Sequence, residues 1–137
     1  MSGTSLDGID AALVRTDGHD HVEILDFVFH AYDDSQKNKI RNCFGIADKN
    51  DPRLVGATYM VTMLHHYAVM DLWGRSGLDH IDLIGFHGQT IHHDPAKGIT
   101  IQIGDGALLA KECGVDVVND FRTADVAAGG HGAPLIP

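Results

Sequence analysis

Twice in the second half of this sequence an apolar run of strand length stops abruptly at a polar cluster. Residues 81–86 (IDLIGF) lead into His87-Gly88-Gln89-Thr90, and residues 115–118 (VDVV) lead into Asn119-Asp120-Phe121-Arg122. Short apolar runs bounded by Gly, Asn and Asp read as strands that end at turns. Between them lie a third strand-like run, Thr100-Ile101-Gln102-Ile103, and the turn Gly104-Asp105-Gly106. A short helix of about residues 107–112 follows, closed by Gly114. Strand, loop, strand, helix, strand is an α/β layout, with helices laid over a mixed sheet. In open α/β sheets ligands bind beyond the carboxyl ends of strands. Both polar clusters fall there.

The first half supplies the rest of the layers. Residues 9–15 read as a strand, Asp17-Gly18 as a turn, and residues 22–32 as a second strand carrying Val22, Ile24, Phe27 and Phe29. Asp33-Asp34-Ser35 is an N-cap cluster for a short helix of about residues 36–44. Asn50-Asp51-Pro52 opens a longer helix, with Pro at its first turn. In it Leu54, Ala57, Val61, Leu64, Ala68 and Leu72 recur at spacings of three and four. Val55, Met60, Met63 and Val69 widen the apolar surface, which predicts burial on more than one side. Gly74 and Gly77 are read as its end. Residues 125–137, rich in Gly, Ala and Pro, are expected to be loop.

A chain of 137 residues is one domain by length and long enough to bury a core. Its formal charge of −9 argues against a nucleic-acid or anionic-membrane partner. The two cysteines, Cys43 and Cys113, form no paired framework, so a reducing, cytoplasmic setting is expected. No apolar run approaches the roughly 18 residues of a membrane span. The ten histidines include two adjacent pairs, His65-His66 and His92-His93, but neighbours in sequence do not share a helix face. No metal-ligand spacing is present.

The N-terminal stretch Gly3-Thr4-Ser5-Leu6-Asp7-Gly8-Ile9-Asp10 is a polar turn feeding a strand. Glycines allow a tight path, and such a turn can aim backbone N–H groups and hydroxyls at one anion. Turns use these residues anyway, so the stretch gains meaning only from its company. Asp120 at a strand end could serve as a general base or simply as a solvated cap. Asp7 could face a nucleotide-bound magnesium or stabilise its own turn. His87, Gln89 and Thr90 form a set able to read sugar hydroxyls, or one that holds its own loop.

Taken in order, the 3–10 turn, His87-Gly88-Gln89-Thr90 with His93 and Pro95, Ile101-Gln102-Ile103-Gly104, Val117-Val118-Asn119-Asp120-Phe121-Arg122, and Asp125-Val126-Ala127 through Gly132-Ala133-Pro134-Leu135-Ile136-Pro137 resemble one family. The chain is similar, from first residue to last, to the N-terminal part of the anhydro-N-acetylmuramic acid kinases. The resemblance implies a ribonuclease-H-like, actin/hexokinase-like fold with two domains around an ATP cleft. Residues 1–137 would be the N-terminal domain, and the second domain is absent from this chain. Both ends accordingly read as cut.

The implied reaction couples hydrolysis of the 1,6-anhydro ring to phosphorylation of O6 in cell-wall recycling, with ATP and Mg2+ as cofactors. By the same resemblance Asp120 is the general base. Gly3, Thr4, Ser5, Leu6, Asp7, Gly8, Ile9 and Asp10 cradle the nucleotide phosphates, with Asp7 near the metal, directly or through water. His87, Gln89, Thr90, Arg122, Gly130 and Gly132 shape the sugar pocket. His131 departs from the family's usual Gln and adds a titratable group. The expected partners are the sugar and ATP, with no nucleic acid and no membrane; a homodimer is the assembly to test. The alternatives are a non-catalytic sugar-binding fragment and a related kinase for another sugar.

Overall fold

The computed structural model describes residues 2–133. Strand β1 (Gly8–Thr16) pairs antiparallel with β2 (Val22–Ala31), Gly8 facing Ala31 and Thr16 facing Val22, with a bulge at Leu13/Val14. Their turn is held by Asp17, whose Oδ1 accepts from the His19 and His21 N–H groups. Helix α1 (Asp34–Arg41) begins with a capping box: the Asp33 carboxylate accepts from the Gln36 N–H, and the Gln36 side chain accepts from the Asp33 N–H. Helix α2 (Pro52–Ser76) is capped by Asp51 and stops at Gly77, which takes the left-handed conformation. Gly74 lies inside this helix rather than at its end, because a helix tolerates a lone glycine and only Gly77 supplies the reversal of backbone hand.

The second half contains β3 (Ile84–Phe86), β4 (Gln89–Asp94), β5 (Ile99–Ile103), α3 (Gly106–Cys113), β6 (Val117–Asn119) and α4 (Thr123–Ala127). β3 pairs parallel with β6, and β4 pairs antiparallel with β5. Three expectations are corrected here. The mixed sheet is three two-stranded sheets among the described residues. Gln89 and Thr90 belong to a strand rather than to a loop, since β4 recruits them opposite Ile103 and Gln102. Residues 125–127 are helical, stabilised by N–H donation from Val126 and Ala128 to Arg122 and Ala124 carbonyls. The remainder of the predicted C-terminal loop from Pro134 onward lies outside the described residues.

α2 is the hub. Its stripe Leu54, Ala57, Val61, Ala68 and Leu72 is buried with Ile9, Val28, Ile40 and Ile103. Val55 and Tyr59 are both 59% exposed, so the wider apolar surface of the helix is only partly used. A second cluster, Phe86, Leu109, Cys113 and Val115, packs with Trp73 under β3 and β6. Thr62 joins α2 to α3: its buried hydroxyl donates to the Thr58 carbonyl and accepts from the Asp105 N–H at 2.9 Å. Both halves of that polar group are therefore satisfied inside the core. Among the described residues no helix is long and apolar enough to cross a membrane.

Candidate functional site

The parallel pair β3–β6 ends with Phe86 facing Asn119, and from this edge the two polar clusters diverge. Between them, β5 and the turn around Lys49, lies a cleft of about 280 Å³. That is just under the ~300–1,000 Å³ usual for small-molecule sites. Phe86, His87, Gly88, Gln102, Asp120 and Lys49 are among its lining residues.

Asp120 sits where β6 has just ended. Its φ of 59° is left-handed, a conformation that Asp reaches more readily than most residues but still at some cost. The backbone reversal leaves the carboxylate exposed at the cleft, with Oδ1 accepting from the Thr123 N–H at 3.3 Å. One oxygen thus steadies the start of α4, and the other is free of any described protein partner.

His87 and Arg122 come from the two different clusters and meet. The Arg122 Nε–H donates to His87 Nε2 at 2.9 Å, and His87 Nδ1 lies 2.9 Å from the Gly88 carbonyl. A carbonyl can only accept, and a guanidinium can only donate. The imidazole must therefore carry its proton on Nδ1 and be neutral. Burial pushes its pKa below the ordinary value and the Arg122 charge adds to this, while the Gly88 carbonyl pulls the other way. The terminal nitrogens of Arg122 make no hydrogen bond to another described residue.

Gln89 and Thr90 lie under the cleft rather than on its lining. Gln89 is fully buried, and its Nε2 donates to the Gly3 carbonyl at 2.9 Å and to its own neighbour's carbonyl, Thr90, at 3.0 Å. Thr90 Oγ1 accepts from Gln102 at 3.3 Å. The Ser2 hydroxyl donates to the Gly88 carbonyl, and Ser2 bridges Gln89 in parallel. These contacts fasten the N-terminal turn to the strand beneath the cleft.

The turn itself closes with Leu6 N–H donating to the Gly3 carbonyl at 3.1 Å. Leu6 has φ 57° yet is only 2% exposed, so its burial in the main core holds a backbone conformation that leucine otherwise avoids. Gly3, Thr4, Ser5 and Asp7 are exposed, whereas Gly8 and Ile9 are buried at the start of β1. Gly8 is sterically required: a Cβ there would stand 2.8 Å from Ala31 Cα and Phe29 Cε2. Asp10 is exposed on β1 opposite Phe29. Of the 3–10 stretch, the turn residues offer exposed hydroxyls and the Asp7 carboxylate, buried Gly8 and Ile9 can offer only their position, and Asp10 presents an exposed side chain on β1.

Magnesium typically takes one or two carboxylates, with phosphate oxygens and water completing its shell. The Asp7 carboxylate is exposed and enters no hydrogen bond or ion pair among the described residues. It therefore suits that mode. Among the described residues no group of three or more His, Cys, Asp or Glu could hold a metal without such help.

Gly130 and Gly132 lie in the loop after α4. Gly132 N–H donates to Asp125 Oδ2 at 2.7 Å and Gly130 N–H to the Asp125 carbonyl at 2.8 Å. Neither lines the cleft. A Cβ on Gly132, whose φ is 67°, would approach Arg122 Cβ at 3.4 Å and His93 Cε1 at 3.5 Å. The loop thus packs beside Arg122 at Gly132.

Comparison with known sequences now decides the family. The family model described as anhydro-N-acetylmuramic acid kinase matches residues 1–137. The chain belongs to the anhydro-N-acetylmuramic acid kinase family. It is 47% identical to the anhydro-N-acetylmuramic acid kinase of Rhizorhabdus wittichii, with 100% of this chain and 40% of that protein covered. Its identity to the kinase of the same name from Rhodospirillum rubrum is 47%, over 100% of this chain and 36% of the relative. That from Rhodopseudomonas palustris is 44% identical, over 100% and 40%. The chain spans about two-fifths of the length of these family members.

Lys49, Gln102 and Asn119 also line the cleft, and sequence reasoning did not single them out as site residues. Gln102 and Asn119 stood inside quoted motifs. Lys49 carried no signal, because only packing brings its turn to β5.

Proposed function

We propose that this chain supplies the sugar-side part of an ATP-dependent kinase. The substrate is 1,6-anhydro-N-acetylmuramic acid and the product N-acetylmuramate 6-phosphate. The observation that carries the reading is the exposed Asp120 carboxylate at the end of β6, set in a cleft of monosaccharide scale. Family membership supports it.

In this reading a water molecule attacks the anomeric carbon and gives its proton to Asp120. The bond between that carbon and O6 breaks, and O6 takes the γ-phosphoryl group as ADP departs. Asp120 is suited to the base role because one oxygen is held by the Thr123 N–H and the other faces the cleft. Neutral His87, with both ring nitrogens engaged, fixes Arg122, whose positive charge and terminal N–H groups without a described partner would be the ones to orient a sugar hydroxyl. Gln89 and Thr90 act by position: they fix the turn and β5 rather than touch sugar.

The exposed Gly3, Thr4, Ser5 and Asp7 would receive the phosphates, and Leu6, Gly8, Ile9 and Asp10 set the path of that turn. Asp7 would hold Mg2+, which would supply positive charge to offset that of the phosphates. Gly130 and Gly132 are tied to Asp125, and Gly132 would help to position Arg122, whose Cβ lies beside it. The reading carries a cytoplasmic setting, where ATP is supplied. Residues 1–137 alone are expected to release no ADP.

The test is turnover by the polypeptide as its gene encodes it, with ATP, Mg2+ and the anhydro sugar, beside Asp120→Asn. Formation of ADP and sugar phosphate that collapses in the variant supports the reading. Turnover that survives moves the base elsewhere. No turnover by well-folded protein rejects the kinase assignment.

A further inference from the structure

The cleft has one feature that the reaction above does not use: a cation with nothing to pair with. Lys49 lines the cleft together with Asp120. It is exposed, and among the described residues its ammonium group enters no ion pair or hydrogen bond. The other nearby cation, Arg122, has its Nε engaged by His87 and is not itself part of the lining. Lys49 is thus the positive group that a ligand in the cleft meets directly.

The field around it sharpens the point. The chain has a formal charge of −9, and Asp120 adds a carboxylate within the cleft itself. An anionic ligand is repelled by both unless a local cation offsets them. The sugar named under the proposed function is an acid. Muramic acid differs from a plain amino sugar by a lactyl ether whose carboxylate is ionised at neutral pH. A neutral amino sugar would need no cation here.

We propose that Lys49 is the specificity residue that recognises the carboxylate of the sugar and so separates the muramic acid from its neutral amino-sugar counterpart. This assignment rests on the kinase reading and deepens it. The turn geometry fits a recognition role. Asp48 Oδ1 accepts from the Asn50 N–H, and the Asp51 N–H donates to the Asp48 carbonyl. Backbone contacts on either side hold Lys49 at the mouth of the cleft while its side chain stays uncommitted.

The experiment compares two sugars on the polypeptide as its gene encodes it, with ATP and Mg2+. One is 1,6-anhydro-N-acetylmuramic acid. The other is 1,6-anhydro-N-acetylglucosamine, which has a hydroxyl in place of the lactyl ether. The wild type is expected to prefer the acid. Lys49→Gln should lower the acid-to-neutral ratio of kcat/KM about tenfold, mainly through KM, as expected for loss of one partly exposed charge pair. Lys49→Glu should lower it further, and Lys49→Arg should restore most of it. Raising the salt concentration should shrink the wild-type preference and leave the Gln variant's ratio little changed.

Thermal melts of each variant separate recognition from misfolding. A ratio unchanged by both Gln and Glu, or a wild type with no preference between the sugars, overturns the assignment while the kinase stands. Release of ADP with neither sugar overturns the kinase reading, and Lys49's role with it.

Discussion

Arg122 donates its Nε–H to His87 Nε2 at 2.9 Å, so two polar clusters on separate strands converge in one hydrogen bond with a defined direction. Protonating His87 would set an imidazolium against a guanidinium and lose the acceptor. Its folded pKa lies below the ordinary value, chiefly through burial. Neutral His87 therefore contributes stability that is complete above the unfolded value of ~6.5 and is lost as pH falls through the lower folded value. Activity is expected to fall along the same acidic limb. Histidine ring titration by NMR locates the transition. A His87 midpoint above the ordinary value contradicts the arrangement. Arg122→Lys, which keeps charge but not the directed Nε donor, should lower kcat/KM by about tenfold or more.

His65 on α2 titrates deeper in the fold. Its Nδ1 lies 2.8 Å from the Val61 carbonyl, its Nε2 is buried without a partner among the described residues, and its ring meets Phe86 edge-on at 4.9 Å. Burial lowers its pKa to about 4. The unfolded chain binds the proton first as pH drops, so stability is expected to decline from about pH 6.5 down to about pH 4. The loss is on the order of 3 kcal/mol. Urea melts at pH 7 and pH 4.5 of the wild type and His65→Phe should diverge: the Phe protein loses less. Equal acid sensitivity in the two proteins would assign the effect to other groups.

Gln89 is expected to control the phosphate turn without touching nucleotide. Gln89→Leu removes one of the two donors to the Gly3 carbonyl, leaving only the Leu6 N–H to hold it, at about 1 kcal/mol. In the full polypeptide, KM for ATP should rise more than KM for the sugar. Hydrogen exchange at the Leu6 amide provides the structural readout, and faster exchange in the variant is expected. An unchanged Leu6 amide would show that the turn is held by Leu6 burial alone.

Gly88 has φ 72°, and a Cβ there would stand 2.5 Å from the Ile103 carbonyl oxygen. Backbone cannot swing away as a side-chain tip can. Gly88→Ala is expected to cost at least ~2 kcal/mol, combining left-handed strain with the clash. Gly18→Ala is a useful control. Its φ is 78° with open space around it, so it should cost only the strain, about 1 kcal/mol. Equal losses in the two variants, measured by chemical denaturation, would mean that the β4–β5 contact yields.

Asp120 adopts its left-handed backbone in a place where glycine would be at ease. Asp120→Gly should melt within a few degrees of the wild type or above it, while ADP formation disappears. A marked drop in melting temperature would show that the Thr123 contact outweighs the relief of strain.

What the sequence by itself determined is local. The three-and-four spacing through Leu54, Val61, Ala68 and Leu72 marked α2, and Asp33 and Asp51 marked two helix starts. The polar clusters after residues 86 and 118 marked where a ligand site would lie. Even the family was legible, because its motifs are contiguous. The chain could not announce which members of those motifs face outward.

Gln89 and Thr90 looked as available as His87, and only the pairing of β4 with β5 buries them. The bond from Gln89 to Gly3 spans 86 residues, and the approach of Lys49 to the cleft likewise depends on packing. Periodicity reports how a segment folds against a generic apolar neighbour. Which polar atom finds which partner depends on sheet register and on the path of the chain between elements, and these exist only once the tertiary structure has formed.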